Sequence, residues 1–277
     1  MLPTLSIIIP CYNHGEYLRE AISSVEQCND KNLYEIIILN DGSTDKHTIE
    51  VLQQLSEEGY DVIHQANQGL GAARNKAIKK ASGRYILPLD SDNKIHSEYI
   101  YESIKILDEQ PEIAMVYGDS EYFGGKTGRR QTGEFNLQKI MIGNYIDACA
   151  VYRRSVWEAL GGYDEKMPVM GMEDWDFWLN MALKGYEFYY IDKVLFDYRV
   201  LKSSMINSIN SDNAATLGTY MQKKYKKYLN TNSINEILLK EGKINKKLAF
   251  KYFIALYFPG LLDFLVKKKF IKSPDIF

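Results

Sequence analysis

The chain has only three cysteines in 277 residues, Cys11, Cys28 and Cys149. Their odd number and wide separation argue against a disulfide framework and a structural zinc site, and they read as small buried apolar residues in a reducing compartment. The four histidines, His14, His47, His64 and His96, show no ligand spacing and read as structural or exposed. No run of 18 uncharged apolar residues occurs, so no membrane-spanning helix is expected. The N-terminus enters an apolar strand without a basic leader or small-residue cleavage site, which points to the cytoplasm. Internal repeats and low-complexity tracts are absent. The turn after the first strand, Cys11–Gly15, lacks both a G-x-G-x-x-G fingerprint and a Gly-Arg-Lys-rich phosphate loop. That disfavours a nicotinamide dehydrogenase and a nucleotidyltransferase.

What is present suits one large globular domain with an appendage: 45% of residues are hydrophobic and 25% charged. The net charge of −2 hides an asymmetry. Residues 218–277 hold thirteen lysines against four acidic residues, a net +9, which leaves −11 for the remainder. An acidic body of this kind is not a nucleic-acid binder, whereas the basic tail suits something anionic.

Along the first half, short apolar runs alternate with helical spacing. Strands are expected at 5–9, 36–39, 61–64, 84–89 and 113–117, and helices at 16–27, 45–58, 69–82 and 97–109. This alternation predicts an α/β fold with a mostly parallel central sheet and right-handed crossovers. After Gly118 the rhythm breaks. A tight hairpin or loop is expected at Gly124–Gly128, a helix at 173–184, strands at 188–191 and 195–199, and helix from about Ser208. The domains read as 1–207 and a helical, Lys/Tyr-rich extension, 208–277.

Ligands of open α/β sheets bind beyond the carboxyl ends of the strands. Polar clusters fall at four such ends: Pro10-Cys11-Tyr12-Asn13, Asn40-Asp41-Gly42-Ser43, Gln65-Ala66-Asn67-Gln68-Gly69 and Asp90-Ser91-Asp92. The last carries the sharpest chemistry. Two carboxylates one residue apart at a strand end suit a hard divalent cation, Mn²⁺ or Mg²⁺, that also takes diphosphate oxygens. The plain alternative is a helix N-cap before the helix at 97–109. Asn67–Asn75 opens a helix with two glycines and places Arg74 in its second turn, which favours an anion. Glu173-Asp174 at a helix start suits a proton acceptor, with a solvated, dipole-favoured pair as the alternative. The two side chains diverge, so only one is expected to reach an acceptor. Trp175, Phe177 and Trp178 suit either a sugar-facing wall or core packing.

Together with Gly161-Gly162-Tyr163-Asp164 and Glu173-Asp174-Trp175-Asp176, these motifs resemble the family 2 glycosyltransferases of the GT-A fold across residues 4–201. The resemblance implies a Rossmann-like domain that uses a nucleotide-diphosphate sugar, with UDP favoured, and inverts the anomeric carbon. It implies that Pro10, Tyr12 and Asn13 flank the base and ribose, and that Asp41 bonds the pyrimidine. Asn67, Gly69, Arg74 and Ser91 would line the nucleotide-sugar site. Asp90 would contact ribose or metal-bound water, Asp92 would ligate Mn²⁺ or Mg²⁺, and Asp174 would be the general base. One position departs from the pattern: Leu201 stands where many relatives carry a histidine that completes the metal site.

The expected acceptor is a polysaccharide, lipid-linked glycan or glycoprotein glycan. The alternatives are a catalytically degenerate sugar-nucleotide-binding subunit, motivated by Leu201, and a nucleotidyltransferase. The aromatic stretch and lysines of 248–269 suit either an anionic membrane surface or a packed interface, including one with a second copy, so the protein is expected in the cytoplasm with a peripheral membrane contact open to it.

Overall fold

The computed structural model describes residues 2–201 and 211–228. The first half is β1 (Leu5–Cys11), α1 (Gly15–Glu26), β2 (Tyr34–Asp41), α2 (Lys46–Glu57), β3 (Asp61–Gln65), α3 (Leu70–Lys80), β4 (Tyr85–Pro88), β5 (Lys94–Ile95) and α4 (Ser97–Glu109). The second comprises β6 (Ile113–Gly124), β7 (Gly128–Arg130), α5 (Leu137–Ile142), β8 (Val151–Arg153), α6 (Arg154–Leu160), α7 (Glu173–Leu183), β9 (Glu187–Val200) and α8 (Ser211–Lys224).

The strands form one nine-stranded sheet in the order β3-β2-β1-β4-β8-β6-β9-β5, with β7 hairpinned onto β6. Parallel pairing joins β3, β2, β1 and β4, and also β6 with β9. β8 enters antiparallel between β4 and β6. A three-residue strand leaves almost no period to read, which is why β8 is not among the strands expected from the sequence. The two strands expected at 188–191 and 195–199 are one strand, β9, whose pairing with β6 shifts register near Gly118 and Asp119. Such a bulge breaks the side-chain alternation that marks a strand.

The continuous apolar run of β1 is explained by burial on both faces. Ile8 packs with α3, α6, α7 and α8 on one side, and Ile7 and Ile9 pack with α1, α2 and α4 on the other. α8 joins the first layer through the buried Leu217, Met221 and Tyr225. Lys224 Nζ contacts Asp164 Oδ2 (2.5 Å) and Asp176 Oδ2 (2.8 Å), and Tyr225 Oη donates to Asp176 Oδ1 (2.8 Å). Asp176, the last acid of the Glu-Asp-Trp-Asp motif, thus ties α8 to α7. The boundary at 207/208 and the 248–269 stretch lie outside the described residues. Among those described, no helix is long and apolar enough to cross a membrane.

Two close approaches bring the strand-end loops together. Gly42, at φ +73°, lies where a Cβ would come within 2.5 Å of Asn67 N, so the loops after β2 and β3 touch only because this residue is glycine. Asn75 in α3 satisfies all four of its side-chain hydrogen-bonding positions. Its Nδ2 donates to Tyr163 O and Glu165 Oε1, and its Oδ1 accepts from Trp157 Nε1 and Tyr163 N. It thereby fixes the Gly161–Glu165 turn against α3. Asn75→Ala is expected to orphan buried donors and cost about 2–3 kcal/mol, read as a lower urea midpoint with an unchanged m-value.

Candidate active site

The strand ends converge on one cleft of about 420 Å³. Pro10 and Tyr12 border it from the end of β1, Asp41 from β2, Asn67 and Gly69 from the loop after β3, and Asp90, Ser91 and Asp92 from the loop after β4. Arg74 of α3 and Asp174 of α7 border it too. Asn13 is the exception among the expected residues. It adopts φ +56°, and its Oδ1 accepts from Thr44 N (2.8 Å) and Asp45 N (2.9 Å), clamping the loop that follows β2. Asp41 holds the neighbouring turn by accepting from Gln65 Nε2, Gln68 N and Gly69 N.

Burial organises the charges. Arg74 is 1% exposed, and its Nη2 donates to Asp90 Oδ1 at 2.8 Å. Burial disfavours its charge, but the Asp90 carboxylate, with smaller contributions from Asp174 and Glu173, keeps it protonated. Burial pushes Asp174 up to about 7, against the pull of Arg74 and with the help of Asp147. Asn144 Nδ2 donates to Asp174 Oδ2 (2.7 Å), and Trp175 N donates to Asp174 Oδ1 (2.8 Å), so the carboxylate is held from two directions. Glu173 folds back to accept from Gly171 N (2.8 Å), and burial raises its pKa despite Arg74. The two acids at the start of α7 therefore take different partners, although both border the cleft.

Burial and then the charge of Asp90 push Asp92 up to about 7. Arg199 steadies this loop, with Nε donating to Asp92 O (2.9 Å) and its backbone N donating to Asn93 Oδ1 (2.9 Å). Two carboxylates so placed suit a divalent cation, since hard oxygen ligands at a diphosphate site match Mn²⁺ or Mg²⁺. No group of three or more metal-capable side chains occurs among the described residues, so such an ion would draw its remaining ligands from diphosphate and water. Leu201, at the cleft wall, offers no ligand atom. Lys202, adjacent to it, lies outside the described residues.

Trp175, Phe177 and Trp178 do not border the cleft. They are buried in the core, where Trp175 Nε1 donates to Ile140 O and Phe177 and Trp178 pack on Tyr152. His14, Met170, Tyr198 and Asp147 border it without having been singled out by sequence. His14 had a readable signal, since it follows the first strand-end cluster directly. Asp147 and Asn144 had none, because they lie in the irregular stretch before β8.

The family model described as glycosyl transferase family 2 matches residues 6–161. Over 96% of its length the chain is 26% identical to chondroitin synthase of Pasteurella multocida (strain Pm70), and over 96% it is 25% identical to hyaluronan synthase of Pasteurella multocida. It spans 30% of the length of each. Among solved structures, S. aureus TarS 1-349 in complex with UDP-GlcNAc superposes with a TM-score of 0.66 at 18% identity, covering 93% of this chain and 72% of that one. The mannosyltransferase PcManGT from Pyrobaculum calidifontis, in complex with GDP-Man and Mn²⁺, gives 0.58 at 15%, covering 95% and 84%. These structural likenesses establish the GT-A fold.

Proposed function

The chain belongs to glycosyl transferase family 2, and on that premise we propose that it transfers a hexosyl group from a UDP-sugar to an acceptor hydroxyl, inverting the anomeric carbon. The acceptor class is a polysaccharide, a lipid-linked glycan or a glycoprotein glycan. One observation carries the reading: the β4-end carboxylates and the Asp174 carboxylate, far apart in sequence, border a single cleft with buried Arg74 beside them.

In this mechanism Pro10, Tyr12, Asp41, Asn67, Gly69 and Ser91 bracket the nucleotide, and Asn13 keeps the bracketing loops in register. Asp92 and Asp90 would hold a divalent cation, which would supply Lewis-acid stabilisation of the departing diphosphate. Arg74 pairs with Asp90 and adds positive charge close to it. Asp174, oriented by Asn144 and Trp175 N, takes the acceptor proton as the acceptor oxygen bonds to the anomeric carbon and the sugar–phosphate bond breaks. The complexes of TarS with UDP-GlcNAc and of PcManGT with GDP-Man and Mn²⁺ support this class of donor and ion.

Calorimetric titration with a panel of nucleotide sugars, with and without Mn²⁺, tests the proposal. A UDP-sugar is expected to bind tightly only with Mn²⁺ present, and Asp92→Asn to weaken that binding by about tenfold or more. Absence of binding to every nucleotide sugar in Mn²⁺ would overturn it. The second reading, a subunit that binds donor without turnover, is favoured by Leu201 alone. It predicts full biological function of an Asp174→Asn variant.

A further inference from the structure

We propose that Asp147, braced by Arg130, selects the transferred sugar by accepting hydrogen bonds from hydroxyls of an uncharged hexose and by repelling sugars that carry a carboxylate. This rests on the donor and general-base assignments above.

The stretch between α5 and β8 supplies two groups to the cleft region. Near its start, Asn144 donates to the Asp174 carboxylate at 2.7 Å. Three residues on, Asp147 borders the cleft that Asp90 and Asp92 also border. β8 pairs with β4 in the register Tyr85 opposite Arg153 and Ile86 opposite Tyr152, which brings the residues before β8 toward those after β4. Asp147 therefore belongs to the space between the proposed base and the β4-end carboxylates, the space a hexose occupies in the proposed reaction. Its charge influences both sides, raising Asp174 and Asp92.

Both Asp147 oxygens are anchored within the protein. Oδ2 pairs with Arg130 Nη1 at 3.0 Å, and Oδ1 accepts from Cys149 N at 3.0 Å. A carboxylate offers about four acceptor positions, so two such bonds leave capacity for hydroxyl donors. The Arg130 guanidinium also lies 5.9 Å from the ring of Tyr198, a further cleft residue, which steadies the brace. A carboxylate held this way is a fixed acceptor and suits recognition of hydroxyl donors.

The same surroundings determine which sugars are refused. Beyond the carboxylates assigned to the cation and to the acceptor proton, Asp147 and Glu173 also border the cleft. A hexuronic acid would bring its carboxylate into this acidic, partly dehydrated wall, whereas a hydroxyl or acetamido N–H donates to it. Discrimination thus combines a new attraction with a repulsion of the competitor.

The test is calorimetry of the full chain in Mn²⁺ with UDP, UDP-N-acetylglucosamine, UDP-glucose and UDP-glucuronic acid. The wild type is expected to bind at least one uncharged-hexose donor about tenfold or more tighter than UDP-glucuronic acid. Asp147→Asn should weaken that donor by about 10–100-fold, the weight of a hydrogen bond to a charged group, while UDP affinity stays within about twofold. Asp147→Glu keeps the charge but displaces the oxygens, and it should show the same selective loss; it decides the question if the Asn variant fails to fold. Equal losses for UDP and the sugar donor, no loss for either, or equal wild-type affinity for UDP-glucuronic acid would overturn the inference. Wild-type protein that binds no nucleotide at all would instead overturn the function on which it rests.

Discussion

Asp174→Asn is expected to lower kcat by about 10²–10⁴-fold, the contribution of a positioned general base, with donor affinity retained. The substitution keeps the size of the side chain and both of its anchors. The amide oxygen still accepts from Trp175 N, and Asn144, whose Oδ1 is buried without a partner, can turn its amide to accept from the new Nδ2. Loss of rate therefore reports loss of the proton acceptor. A pH series provides the second readout. With the Asp174 carboxyl raised to about 7, the wild-type kcat/KM should climb as pH rises through about 7, and the variant should lose that limb.

Stability should move the opposite way. A carboxyl whose native pKa lies above its unfolded value binds more protons in the native state, so its stabilising effect is complete at low pH and lost as pH rises through about 7. Removing the ionisable group should make ligand-free Asp174→Asn more stable than wild type at pH 8, by on the order of 1–3 kcal/mol. A fall in kcat of less than about tenfold, with donor binding intact, would remove Asp174 from the proposed role.

Arg74→Met is the second large effect, and it acts on the folded state first. Arg74 is buried beside Asp90, with Asp174 and Glu173 close enough to influence its charge. Replacement leaves these carboxylates without their cation. Breaking such a buried pairing costs about 3–5 kcal/mol. At about 2–4 °C per kcal/mol for a chain of this size, the melting temperature should fall by roughly 6–20 °C. The deficit has a predictable pH dependence. Without Arg74 the native pKa values of Asp174 and Glu173 rise further above their unfolded values, so stability is lost as pH increases, and the gap to wild type should be wider at pH 8 than at pH 6. A pH-independent deficit would mean that packing, and not charge, is what Arg74 contributes.

The sequence was informative wherever chemistry and periodicity coincide. Helix α4 falls where its spacing predicts, and the first four strands agree to within two residues. The polar residues that border the cleft were legible because a parallel strand ends abruptly, so its apolar run points directly to the polar residues at its carboxyl edge. Asp90–Asp92 after Tyr85–Leu89 is the clearest instance. Asp176 shows the limit of that reading: its place in the Glu-Asp-Trp-Asp motif does not disclose that its carboxylate turns away to Lys224 and Tyr225 on α8.

By itself the sequence determined the strand–helix alternation, the sheet edge that carries the polar clusters, and the acidic character of the catalytic body, because each depends on near neighbours or on composition. Only the tertiary structure decided that β8 inserts antiparallel beside β4, that Arg74 is buried against Asp90, that Asn144 bonds Asp174, and that Asp147 shares a cleft with the acids that follow β4. Those relations join residues tens of positions apart through strand register and burial. No local pattern encodes them, since the same side chains in an open loop would be ordinary solvated groups with unshifted acidity.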